Sequence, residues 1–217
     1  MVSWKPARPC RDLVGILIRF RRFHIGLQAD IEKMFMQIVL HEADRDVVRF
    51  LWRDLNYELE PTIFRFRRVC FGLNCSPFLA LAVLRHHAQV IGKKFPRAAA
   101  EILENMYVDD LVTSCDRVED AVAVVQDTMQ LMNRGGFTLT RWANNCPSLN
   151  DFVDKSSSGS GAGRTLRTLG LSWDRIDDTL AINVPRLSSR PTDTKRQMLK
   201  ALASVFDPLG WVAHFVK

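Results

Sequence analysis

Apolar residues recur at Leu13, Ile16, Leu17 and Phe20. That i, i+3, i+4, i+7 spacing predicts a helix with one buried face, flanked by Arg19, Arg21 and Arg22. Runs rich in Val, Ile, Phe and Trp predict strands at 25–30, 37–40, 47–52 and 63–69. In the last of these, Arg65 and Arg67 alternate with Phe66, which sets basic and apolar side chains on opposite faces. A longer apolar stretch opens at Ser76-Pro77, where the serine is expected to cap the free N–H groups and the proline to fill the first turn. It continues to Ile91 and is stopped by Gly92 and Pro96, and a short helix is expected over 97–104.

Two short apolar runs, 106–108 and 111–114, enclose Asp109 and Asp110, which predicts a hairpin. Asp116 with Glu119 three residues on reads as a capping box. Its helix carries Val118, Ala121, Val122, Val125, Met129 and Met132 inward and ends at Gly135-Gly136. Strands are expected at 137–142, 166–173 and 179–184, a flexible loop at 156–163, and a helix over 192–206 broken at Asp207-Pro208. Helices alternate with paired strands without a regular βαβ period, so the expected fold class is α+β.

Composition narrows this only slightly. With 47% hydrophobic and 25% charged residues, the 217-residue chain has enough apolar surface to fold. The longest purely apolar run, Phe78 to Leu84, is far short of the roughly 20 residues of a membrane helix. The start of the chain has no secretory pattern, so an intracellular place is expected. A net charge of +6 suits a polyanionic partner or simply a soluble surface. Five cysteines without a C-x-x-C pair fit a reducing compartment. The spacing of Cys70, Cys75, His86 and His87 matches no zinc pattern.

The candidate chemistry lies in carboxylates. Asp109 and Asp110 sit at a turn between β-forming residues, and Asp30 ends another apolar run. If those two segments pair, three carboxylates converge, and their repulsion calls for a hard divalent cation. Two Mg2+ ions could then bridge an attacking hydroxyl and a triphosphate in an in-line displacement.

These residues belong to an ordered set. It runs Ala29-Asp30-Ile31-Glu32-Lys33-Met34-Phe35, Arg49-Phe50-Leu51-Trp52 and Phe71-Gly72-Leu73-Asn74-Cys75-Ser76-Pro77-Phe78. Tyr107-Val108-Asp109-Asp110, Gly135-Gly136-Phe137, Leu169-Gly170-Leu171-Ser172-Trp173 and Phe206-Asp207-Pro208-Leu209-Gly210 follow. The set resembles the reverse transcriptases of LTR retrotransposons, most closely the Bel/Pao group.

The resemblance implies a right-hand polymerase palm with partial fingers over 1–184, a flexible loop near 154–164, and the start of a thumb over 185–217, cut short. It implies RNA-directed DNA synthesis, with Asp30, Asp109 and Asp110 as catalytic residues. These three, with Ile31, would hold two Mg2+ ions, Mn2+ being an alternative. Phe35 would be an aromatic gate against a 2′-hydroxyl, with Phe71, Gly72, Tyr107 and Arg141 also at the nucleotide. Arginine gives up its proton poorly, so Arg141 fits charge neutralisation better than proton donation. Leu169-Gly170 would form a primer grip.

The implied partners are an RNA or DNA template with its primer and dNTPs, without a membrane. The oligomeric state stays open, and the implied place is a cytoplasmic retroelement particle. The chain reads as a piece of a longer polyprotein. Two other readings remain: a non-catalytic nucleic-acid-binding remnant, and another palm nucleotidyltransferase such as a cyclase. The cyclase reading leaves the segments 71–78 and 206–210 unaccounted for.

Overall fold

The computed structural model describes residues 12–55, 57–150, 152, 163–183 and 194–212. Its centre is strand β1 (Ile25–Ile31), whose residues are buried or half-buried throughout. Strands β4 (Met106–Tyr107), β5 (Asp110–Cys115) and β6 (Leu139–Asn144) join it in an antiparallel sheet of order β4-β5-β1-β6. Side chains alternate across a strand, so β1 serves two cores. Leu27, Ala29 and Ile31 enter the larger one with Leu111, Leu139 and Trp142. Helices α2 (Ser76–Ile91), α3 (Pro96–Asn105) and α4 (Val118–Arg134) close that core through Leu81, Leu84, Ile102, Val125 and Leu131.

Gly26, Gln28 and Asp30 belong to the other face. Its far end lies under helix α1 (Leu13–Phe20) and a second sheet of β7 (Thr165–Thr168), β8 (Leu171–Asp174) and β9 (Thr179–Ala181). Phe20 and Trp173 meet there edge-to-face at 4.9 Å, in a smaller core with Ile16, Leu17, Val112 and Ala143. A Cβ on Gly26 would lie 2.9 Å from Phe20 and 3.0 Å from Trp173, so the strand needs glycine where both rings close on it. Asp30, at the other end, is not part of this core.

Asp12 caps α1, accepting from the N–H groups of Val14 at 3.2 Å and Gly15 at 3.3 Å. Arg19 ties α1 to α3 by donating to Asn105 Oδ1 at 2.6 Å. The remaining described helix, α5 (Lys195–Ala203), falls within the expected span.

Several expectations are corrected. Ser76 does not cap α2; its hydroxyl donates to the Cys70 carbonyl at 2.6 Å, because the serine is already inside the first turn. Asp116 is one position too early to cap α4, whose N-cap is Arg117 with no side-chain capping bond; Asp116 meets His24 at 3.2 Å instead. The buried stripe of α4 is shifted too: Val124, Thr128 and Leu131 are buried, while Val118, Val122 and Met129 are only partly so.

The strand expected at 37–40 shrinks to one bridge, Val39 with Arg68, because Met34–Gln37 coil into a 3-10 turn entered through Lys33 at φ 48°. Glu42–Val48 form another 3-10 turn, which leaves β2 (Arg49–Trp52) pairing with β3 (Thr62–Arg65) as a hairpin exposed on both faces. The strand expected over 166–173 is two strands around a tight turn. The loop expected at 156–163 lies outside the described residues except for Gly163, and so does position 184, where the first domain was expected to end.

Candidate catalytic site

The register of β1 against β5 sets Asp30 directly across from Asp110. Tyr107 pairs with Asp110, so Val108 and Asp109 form a two-residue turn. Val108 has φ 56°, a left-handed conformation that a β-branched residue rarely takes. The Ile31 N–H donates to the Asp109 carbonyl at 2.9 Å, which ties the strained turn to the end of β1. All three aspartates therefore meet at one corner of the sheet.

Strand β6 brings a cation to that corner. Between Gln28–Ala143 and Asp30–Thr140, β1 advances by two residues and β6 by three. The extra residue is a β-bulge, and Arg141 within it has φ 51°. Its Nη1 lies 3.1 Å from Asp30 Oδ2, with the Arg141 side chain 71% exposed and that of Asp30 20%.

The electrostatics follow from burial and like charge. Burial, then Asp109, then Asp30 push the Asp110 carboxyl up to about 7, against the pull of Arg141. Asp30 is also raised, by burial first; Arg141 opposes this and Asp109 adds to it. Among the described residues, no three His, Cys, Asp or Glu side chains stand close enough to enclose one metal ion. The donor set nevertheless fits a hard divalent ion. It consists of carboxylate oxygens only, and it carries crowded negative charge that a 2+ ion would relieve. Ile31 offers no ligand through its side chain, which is buried in the larger core; only its main chain could serve.

Two further groups stand apart from the carboxylates. Phe35, in the 3-10 turn after β1, meets Phe71 edge-to-face at 5.1 Å. Phe71 is 74% exposed, and Gly72 follows it at φ 89° with open space around its α-carbon. Tyr107 packs its ring against the smaller core instead. In the other group, Thr168 pairs with Leu171, which leaves Leu169 (φ 50°) and Gly170 (φ 89°) as a two-residue turn. Both central residues have positive φ, as a type I′ hairpin requires.

Sequence reasoning missed Gln28, the bulge and the seating of Phe206 on the Leu169-Gly170 turn. A Cβ on Gly170 would lie 2.5 Å from the Phe206 ring, so the Phe206-Asp207-Pro208 segment is seated on that turn. Gln28 carried a signal: it is polar within an apolar strand, two residues before Asp30 and so on the same face. The bulge had none, because nothing in Thr140-Arg141-Trp142 marks a left-handed arginine.

The family model described as reverse transcriptase (RNA-dependent DNA polymerase) matches residues 10–141, more than half of the chain. No curated protein matches it. Among solved structures, a foamy viral protease-reverse transcriptase in complex with RNA/DNA hybrid superposes with a TM-score of 0.50 at 14% identity. The superposition covers 96% of this chain and 21% of that one, so the chain spans about a fifth of its structural neighbour's length. At that identity the likeness concerns the fold, an α+β polymerase palm region. The family match covers the whole Asp30, Asp109 and Asp110 corner and ends on the bulge residue Arg141, and by it the chain belongs to the reverse transcriptase family.

Proposed function

We propose that this chain is the polymerase palm of an LTR-retroelement reverse transcriptase of Bel/Pao type, with the start of a thumb over 185–217. It adds dNTPs to a primer on an RNA or DNA template. The observation that carries this reading is the register that faces Asp30 with Asp110 and puts Asp109 in the adjoining turn. Asp30, Asp109 and Asp110 would hold two Mg2+ ions. When bound, these supply activation of the primer 3′-hydroxyl and stabilisation of the leaving pyrophosphate.

The chain's own residues do the remaining work. The Val108 turn holds the carboxylates at the end of β1 before any ligand arrives. Arg141, paired with Asp30, answers negative charge at the cluster. The pair of half-buried Phe35 and exposed Phe71 offers a ring edge and an open face to a sugar and base, and a ring under the sugar disfavours a 2′-hydroxyl. The Leu169-Gly170 turn presents main chain to the primer end. The basic excess of +6 suits a phosphate backbone, whose binding is salt-dependent and largely blind to sequence.

Incorporation of dTTP on poly(rA)–oligo(dT) with Mg2+ tests the reading. Asp110→Asn is expected to reduce incorporation by at least about a hundredfold. Unchanged incorporation would reject the assignment. Salt-sensitive hybrid binding without any incorporation would favour the nucleic-acid-binding remnant.

A further inference from the structure

Arg141 is the exposed member of an otherwise buried strand, and with Trp142 it lies in the stretch where the ladder slips. A left-handed backbone on a non-glycine residue costs about 1 kcal/mol or more. The bulge releases its side chain from the strict alternation of the strand, so the guanidinium can lie across Asp30. Among the described residues, Asp30 is its one ion-pair partner. Its stem is largely in solvent, so the ion pair is what holds it there.

We infer that Arg141 is the resident counter-ion of the carboxylate corner, and that a divalent ion binding at Asp30 displaces it. The inference rests on the proposed metal site. Both cations would claim the Asp30 carboxylate, whose Oδ2 already lies 3.1 Å from the guanidinium. A Mg2+ or Mn2+ ion binds a carboxylate oxygen at roughly 2.1 Å. A guanidinium paired with that carboxylate would then be held against a 2+ charge only a few ångströms away, so each cation opposes the binding of the other. Arg141 thus lowers metal affinity while it covers the site. Metal loading frees its charge to meet the incoming polyphosphate, so the cation swings outward only when the site is filled. By linkage, whatever draws Arg141 off Asp30 must tighten metal binding by the same factor.

The test is Mn2+ binding, followed by the electron paramagnetic resonance of the free ion, in the full chain without nucleic acid. Arg141→Gly removes the charge and suits the left-handed backbone; Arg141→Gln is the second variant. Both are expected to bind Mn2+ on the order of fivefold more tightly than the unaltered protein. Arg141→Lys, which keeps the charge and loses the fork, should fall between them. Equal affinity in all four proteins would overturn the inference and leave the metal site standing. Weaker binding in Arg141→Gly would also overturn it, since Arg141 would then be organising Asp30 for the metal. If Asp30→Asn binds Mn2+ as the unaltered chain does, or none of them binds it, the metal site falls and takes the inference with it.

Discussion

Thr168 Oγ1 donates to Gln28 Oε1 at 2.6 Å, and Gln28 stands on the same face of β1 as Asp30, two residues away. Gln28 also donates through Nε2 to the Arg167 carbonyl at 3.1 Å. One side chain therefore fastens the β7–β8 hairpin to the strand that carries the first carboxylate. Gln28→Ala should cost about 1–2 kcal/mol, since it also strands the fully buried Thr168 hydroxyl. Adding Thr168→Val removes the stranded group and should recover part of that loss. Urea denaturation of the four proteins of the cycle checks this; strict additivity would show that the pair is not coupled.

At the tip of the same hairpin, Gly170 combines φ 89° with the Phe206 ring against its α-carbon. Gly170→Ala should destabilise by about 2–3 kcal/mol, from backbone strain and the clash together. Phe206→Ala in that background should relieve the clash and leave the strain. The thermal midpoints of single and double variants separate the two contributions.

Gly26 is held for a different reason. Its φ is ordinary, but Phe20 and Trp173 leave no room for a methyl group. Gly26→Ala should cost about 1–3 kcal/mol by overpacking. The change lies at the covered end of β1, so Mn2+ affinity at the Asp30 end should stay within about twofold, read by titration after the protein is shown to be folded.

Asp110 gives the pH dependence a sign. Its folded carboxyl titrates near 7, above its unfolded value of 3.8, so between these limits the folded state holds more protons. Stability without divalent metal should therefore fall as pH rises from about 4 through 7. Asp110→Asn should flatten that decline and gain on the order of 2 kcal/mol at pH 8. Denaturation in EDTA from pH 5 to 8 measures it; an unchanged slope in the variant would place the titrating group elsewhere.

The palm was legible in the sequence where chemistry and local geometry are short-range. The hairpin around Asp109 and Asp110 and the helices over 13–20 and 97–104 follow from periodicity and turn residues within a few positions, whereas the Leu169-Gly170 turn breaks a strand that β-propensity runs straight through. Caps were less legible, because Ser76 and Asp116 each missed the helix N-cap by one residue, and a cap bond fails at that distance. The aromatic hairpin at 49–65 looked like half-buried sheet, yet all eight strand residues are exposed. Composition records β-propensity and not which neighbour will cover it.

By itself the sequence determined the residue types of the site: three carboxylates suited to a hard cation, and the hairpin that carries two of them. It also determined a strand at 25–30, but that strand's cover on both faces came from packing, with Phe20 and Trp173 closing on Gly26. Tertiary structure decided adjacency. Asp30 meets Asp110 because of a ladder register between segments about eighty residues apart. Arg141 reaches Asp30 because one extra residue in β6 breaks the alternation of the β1–β6 ladder. A register is set by the sum of many side chains on two faces, and a bulge by its local failure, so neither can be read from the residues that end up touching.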